Sequence, residues 1–158
     1  MNAFDDLVID DGCFSYWELI GQSKCYDWTP VITFATPGNL NVVYASQIGR
    51  FVKIGNLAKL YFTLQTSTFT HTTASGALLI SGIPFIGANI AGAVWVGNVI
   101  WEGINAAGYT QVAPVITTAG TTLQFNASGA GVAAIGVQAS DMPSGGTVLL
   151  RGGIEYES

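Results

Sequence analysis

Apolar and polar residues alternate with a period of two along most of the chain, in short runs that end at Gly, Pro, Asn or Ser. Leu60, Phe62 and Leu64 fall on one side of an extended chain, and the three residues between them fall on the other. This alternation is typical of β-strands with one buried face, and after residue 28 no stretch longer than a turn or two has the period of a helix. The pattern predicts strands over residues 31–35, 42–45, 49–54, 60–65, 77–81, 91–96, 99–104, 112–116, 121–127, 133–138 and 147–156.

The spacing of these segments indicates their arrangement. They recur about every 8 to 14 residues with turn residues between them, such as Pro37 and Gly38, which is the pattern of sandwiches and jelly rolls. A length of 158 residues is that of one domain. We therefore predict an all-β, antiparallel, jelly-roll-like sandwich over residues 29–158, preceded by a short N-terminal arm over residues 1–28.

The arm differs from the rest of the chain in charge. Residues 1–28 hold six of the ten acids and one of the five bases, so the remaining chain is nearly neutral. Ser15 and Glu18 have the spacing of a helix capping box, which predicts a short helix over residues 16–20.

The arm is also rich in aromatic side chains, more than a solvated leader needs. It either packs on its own sandwich or docks on a neighbouring molecule, and the sequence leaves both interpretations open. It leaves open equally whether Cys13 and Cys25 are free thiols or one bridge. The candidate attachment residues are Phe14, Tyr16, Trp17 and Tyr26.

Charged residues are scarce, at 9% of the chain against about 25% in an ordinary soluble domain. Five bases against ten acids cannot neutralise a track of phosphates, so we predict no nucleic-acid partner. Residues 83–101 carry no charge and are about long enough to cross a bilayer. Pro84, Asn89, Asn98 and several glycines interrupt the apolar run, however, and we predict no membrane insertion.

The sequence offers little for catalysis. Nucleophilic catalysis needs a base beside the nucleophile, and the single histidine, His71, lies in the polar tract 66–73, which we interpret as an exposed loop or strand end. One histidine and two distant cysteines make no metal-ligand set. The carboxylates that could form a glycosidase pair after residue 28 are Glu102 and Asp141. We predict a protein that is not an enzyme and binds no metal or cofactor.

Carbohydrate binding is the chemistry that is harder to exclude, because exposed aromatic rings with amides nearby can hold sugars. Trp95 and Trp101 fit a core or a subunit interface better than a sugar site. The candidate ligand or receptor loops therefore contain Phe69, His71 and Tyr109.

Several segments resemble β-sandwich domains carried on the virions of tailed bacteriophages. They are WTPVITF (28–34), Tyr44, GRFVKIGNL (49–57), SGALLISGIPF (75–85), SDMPSGGT (140–147) and GIEY (153–156). Such domains end many tail-fibre and receptor-binding proteins, and similar jelly rolls occur as capsid decoration proteins.

The resemblance implies a homotrimer with a structural or adhesive role at the virion surface, assembled in the host cytoplasm. Trimer formation would bury a second apolar face and so account for the scarcity of charge. No shaft precedes the sandwich, which favours a capsid decoration (cement) protein bound to the major capsid protein or another virion protein. The alternative is the tip of a tail fibre or head fibre that recognises a glycan of the host surface.

Overall fold

The computed structural model describes residues 25–158, which form two antiparallel β-sheets packed face to face. The first sheet has the strand order β1-β3-β4-β11-β7, so the last strand is inserted between two earlier ones. Its strands are β1 (Tyr26–Trp28), β3 (Asn41–Ile54), β4 (Leu57–Thr70), β7 (Asn98–Glu102) and β11 (Leu149–Glu157).

The second sheet has the order β2-β5-β9-β8-β6, and β10 pairs with β9 beyond the end of the β5 pairing. Its strands are β2 (Val31–Thr36), β5 (Ser75–Ser81), β6 (Val94–Val96), β8 (Gln111–Thr117), β9 (Leu123–Gly129) and β10 (Val132–Gly136). Among the described residues the helical structure is one 3₁₀ turn, Ala139–Asp141. The same part of the chain contains no helix that is long and apolar enough to cross a membrane.

The predicted antiparallel sandwich is confirmed, because every segment with alternating apolar residues forms a strand. One difference concerns residues 42–45 and 49–54, which form a single long strand, β3. Gly49 does not interrupt it. A Cβ at this glycine would lie 2.5 Å from the Trp28 carbonyl oxygen, so the residue makes room for the neighbouring strand β1.

The core lies between the two sheets and is built from the inward positions of both. Phe34 and Phe69 meet edge to face with ring centroids 6.1 Å apart, and Phe62 meets Phe125 at 6.5 Å. These rings are at most 3% exposed. Burial of aromatic and aliphatic side chains on this scale is the main favourable term in holding the sheets together.

The interpretation of residues 66–73 as an exposed tract is wrong for three of its members, Thr66, Phe69 and His71. The β3–β4 pairing joins Val43 to Thr68 and Tyr44 to Thr66, which leaves Ser67 without a partner. A bulge of this kind reverses which side chains face the core. Phe69 is consequently fully buried and His71 is 9% exposed.

The boundary placed at residue 28 also moves. Residues Tyr26–Trp28 form the edge strand β1, and the Trp28 indole N–H is shared by the carbonyl oxygens of Arg50 and Tyr61, each at 3.2 Å. Tyr26 is 50% exposed and stacks on Phe51. The sandwich therefore includes the last residues of the predicted arm. Several predictions concern residues outside the described part of the chain, namely Phe14, Tyr16, Trp17, Cys13 and the helix over 16–20.

Candidate functional site

Charge is distributed unequally between the two sheets. Within residues 25–158, the strands of the second sheet contain no Asp, Glu, Lys or Arg, whereas the strands of the first sheet contain eight. The ninth charged residue of this region, Asp141, lies in the 3₁₀ turn, where its carboxylate accepts a hydrogen bond from the Gln138 N–H. The first sheet is therefore the face of the sandwich that can make charged contacts.

A cleft of about 830 Å³ opens on the outer surface of this sheet. Strand register aligns four of its lining residues in one row across β3, β4, β11 and β7. Arg50 lies opposite Tyr61, Tyr61 opposite Gly153, and Gly153 opposite Asn98. A second row runs from Ile48 to Thr63 and on to Arg151, and a third row brings Lys59 opposite Glu155. We call the cleft lined by these three rows the outer cleft.

Glycines shape the floor of the outer cleft. Gly97, Gly152 and Gly153 line it, and a Cβ on any of the three would collide with backbone atoms of a neighbouring strand. The absence of side chains lets the neighbouring strands approach closely here, and the three glycines are partly exposed. The floor is thus a flat surface bounded on one side by the Tyr61 ring, which is 44% exposed.

Three cationic side chains border this floor. Arg50 forms an ion pair with Asp27 at 2.8 Å, and Lys59 forms one with Glu155. The hydrogen bond that the Lys59 ammonium donates to the Glu155 carboxylate raises the pKa of Lys59, and this ammonium lies 5.4 Å from the Tyr61 ring centroid.

Arg151 differs from the other two cations of the outer cleft. Its guanidinium reaches the Gln65 side-chain oxygen at 3.4 Å, and no carboxylate among residues 25–158 lies within ion-pair distance of it. One of its five N–H donors is directed at Gln65, and the other four have no partner among residues 25–158.

The outer cleft offers hydrogen-bond donors, an aromatic ring and open backbone. These are features of a binding surface, and its carboxylate, Glu155, forms an ion pair with Lys59. Residues 25–158 contain no group of three His, Cys, Asp or Glu side chains that could hold a metal ion.

The residues singled out from the sequence lie elsewhere. His71 packs against the rings of Phe34 and Phe69 at 5.1 and 5.7 Å, and its Nε2 has no hydrogen-bond partner among the described residues. Tyr109 is half-buried, precedes β8 and packs on the core. Trp95 and Trp101 also pack on the core, Trp95 against Tyr156. The outer cleft is lined by none of the five residues singled out from the sequence, which are Phe69, His71, Trp95, Trp101 and Tyr109.

The residues of the outer cleft went unrecognised in the sequence, although the alternation around Leu60 had already placed Tyr61 on the outward side of its strand. An outward tyrosine or arginine on one strand resembles any solvated position. The signal lies in the pairing of strands distant in sequence, which brings Arg50, Tyr61 and Arg151 together.

The described residues form a two-sheet β-sandwich in which the strands of one sheet are uncharged and the other sheet carries the charged residues and the outer cleft. No protein-family model and no curated protein matches the chain. Among solved structures, the chain is similar to the crystal structure of the Dettilon tailspike protein (gp208), with a TM-score of 0.58 and 17% sequence identity. The similarity covers 83% of this chain and 23% of the tailspike chain, and at this identity it shows the fold alone.

Proposed function

We propose that this chain is a non-enzymatic surface protein of a tailed-bacteriophage virion and that its β-sandwich serves in attachment to the host. The observation that carries the proposal is the likeness to a tailspike, in which this sandwich corresponds to less than a quarter of the chain. A fold that occurs as one part of a tailspike supports a role at the tail better than a shell-stabilising one. Fold alone does not determine function, so the role needs a direct test.

We also propose that the protein is a homotrimer assembled through the second sheet. The strands of that sheet carry no charge in residues 25–158, yet Val31, Val94 and Val132 are 39%, 55% and 44% exposed. Obligate interfaces are depleted of charged residues and rich in apolar ones. Association through this sheet would leave the outer cleft free for a ligand.

The non-enzymatic assignment is supported by the positions of the carboxylates. Asp141 accepts a hydrogen bond within the 3₁₀ turn and Glu155 forms an ion pair with Lys59, so both carboxylates have structural partners. Incubating the purified chain with host-surface polysaccharide and measuring new reducing ends tests this assignment. Release of reducing ends that is lost in Glu102→Gln would overturn it.

A capsid decoration protein is the second candidate. It is favoured by the sequence of the first 24 residues, whose five acids and aromatic side chains suit docking on a basic surface of another virion protein. Phe14, Tyr16 and Trp17 would then be the attachment residues. Proteins of this kind bind the major capsid protein over the whole head.

Antibody labelling of intact particles in electron micrographs separates the two roles. Label confined to the tail supports attachment, and label spread over the head supports decoration. In parallel, the purified full-length chain is added to host cells before the phage. Attachment predicts that adsorption falls as the chain saturates its receptor, and unchanged adsorption together with head labelling would overturn the primary proposal.

A further inference from the structure

We propose that the outer cleft binds an acidic saccharide, with Arg151 pairing with a sugar carboxylate and the Tyr61 ring contacting the face of a sugar ring. This inference rests on the proposed role in host attachment and names the site and the class of ligand.

Charge complementarity points to an anionic ligand. Residues 25–158 contain five acids and four bases, a net charge of −1. The cleft and its ion-pair partners together carry a net charge of +1. They contain three bases, Arg50, Lys59 and Arg151, and two acids, Asp27 and Glu155. Three of the four bases of the described region thus surround one cleft of an otherwise acidic protein.

Arg151 supplies the specific contact. A guanidinium binds a carboxylate through two parallel hydrogen bonds, and the single partner of Arg151 is the amide oxygen of Gln65 at a long 3.4 Å. Arg50 and Lys59 are each already held by a carboxylate. The excess positive charge of the cleft is therefore located at Arg151, opposite Thr63 and beside the glycine floor.

The shape of the cleft favours a sugar. Gly153 presents backbone instead of a side chain in the outward row, between Tyr61 on one side and the exposed Asn98 on the other. A tyrosine presents an apolar ring with a polar tip, which suits the mixed apolar and hydroxyl faces of a saccharide. An acidic peptide would satisfy Arg151 equally, but it has no need of a flat floor beside an aromatic ring.

Isothermal titration calorimetry of the purified full-length chain with polygalacturonate tests the proposal, with the methyl-esterified polymer as the uncharged control. We expect polygalacturonate to bind at least about tenfold more tightly than its ester, because the ester cannot form charge-assisted hydrogen bonds with Arg151. Binding should weaken with added salt. Equal binding of the two polymers, or binding of neither, overturns the proposal.

Variants assign the binding to the outer cleft. Arg151→Gln should weaken polygalacturonate binding about tenfold, and Tyr61→Leu should weaken it severalfold. The matched control is Lys53→Gln, a base of the same sheet that bonds Ser158 instead of lining the cleft and should bind within about twofold of wild type. Unchanged binding by Arg151→Gln would contradict the assignment. So would a synthetic peptide of residues 1–24 that displaces polygalacturonate and binds more tightly, because the cleft would then be a site for the acidic arm.

Adsorption experiments keep this inference separate from the proposed function. If wild type and Arg151→Gln block phage adsorption equally, host attachment stands and the cleft is the wrong site. If polygalacturonate binding depends on Arg151 but neither protein blocks adsorption, the site stands and the proposed function fails.

Discussion

Tyr61 and Gly153 lie directly opposite each other on β4 and β11, and the edge of the tyrosine ring occupies the space beside the missing glycine side chain. A Cβ built on Gly153 would be 3.3 Å from the Tyr61 Cδ1 atom and 2.6 Å from the Leu60 carbonyl oxygen. The same pairing keeps the floor of the outer cleft flat.

Gly153→Ala should destabilise the protein, because the new methyl group meets backbone at the Leu60 carbonyl. Overpacking of this kind costs about 1–3 kcal/mol, which urea unfolding can measure. The matched control is Gly136→Ala in β10, where a Cβ would meet the flexible Gln138 side chain at 3.3 Å. A change within about 0.5 kcal/mol is expected there. Equal effects of the two substitutions would show that the approach of β4 and β11 is not the cause.

Thr66→Val should destabilise the protein although it preserves shape. Thr66 is 1% exposed, and its hydroxyl oxygen accepts a buried hydrogen bond of 2.8 Å from the Val148 N–H. Valine leaves this N–H without a partner, at a cost of about 1–3 kcal/mol. Thr63→Val, on the outer face of the same strand, is the control and should change the free energy of unfolding by less than about 0.5 kcal/mol. A stable Thr66→Val variant would mean that another acceptor replaces the hydroxyl.

Stability should fall at alkaline pH because of Tyr156. Burial raises the pKa of its phenol to about 12, and the hydroxyl donates to the Phe85 carbonyl oxygen at 2.8 Å. The unfolded chain releases this proton near pH 10. The contribution of the protonated Tyr156 phenol to the free energy of unfolding is therefore complete below pH 10. It falls by about 2 kcal/mol as the pH rises from about 10 to 12.

Urea unfolding of wild type and Tyr156→Phe at pH 8 to 11 measures this effect. The variant should lose about 1 kcal/mol at pH 8 with the hydrogen bond, and its stability should then fall less steeply above pH 10. Some alkaline loss should remain, since burial also raises the pKa of Tyr44. Tyr26→Phe, at an exposed position, should follow the wild-type curve. Parallel curves for Tyr156→Phe and wild type would contradict the assignment.

Local alternation was sufficient to predict every strand of residues 25–158 except β1, because one buried face imposes a period of two on a strand. It failed where polar residues are buried. Nothing in the run of Ser and Thr around Ser67 reveals a bulge, so the inward turn of Phe69 and His71 depends on pairing with β3. The outer cleft depends even more on strand pairing. Arg50 and Arg151 come together only because β3 and β11 both pair with β4. Long-range register of this kind is set by the whole fold and not by neighbours in sequence.

Asn39 should stabilise the loop after β4, in which Thr72 and Thr73 lie. Its side-chain oxygen accepts from both backbone N–H groups at 2.9 Å, and its amide donates to the Thr72 hydroxyl at 2.7 Å. Asn39→Ala removes these bonds together and should cost about 1–2 kcal/mol in thermal or urea unfolding. Asn41→Ala, at the exposed start of β3, is the control. Similar losses of stability in both variants would show that the hydrogen bonds of the Asn39 side chain add nothing beyond strand propensity.

The proposed trimer makes a prediction about charge on the second sheet. In light scattering the full-length chain should have about three times its 16.5 kDa mass. The double substitution Val31→Glu and Val94→Glu places unpaired carboxylates on that sheet, where burial between subunits would cost several kcal/mol, so the mass should fall toward that of a monomer.

Ile54→Glu is the control for this prediction. Ile54 is 53% exposed at the end of β3, near the β3–β4 turn of the first sheet, and a carboxylate there should leave the trimer intact. Circular dichroism must show that all variants keep their sheet content. A monomeric wild type would contradict the trimer itself. Dissociation by Ile54→Glu but not by the double variant would place the interface on the first sheet, where it would compete with the ligand proposed for the outer cleft.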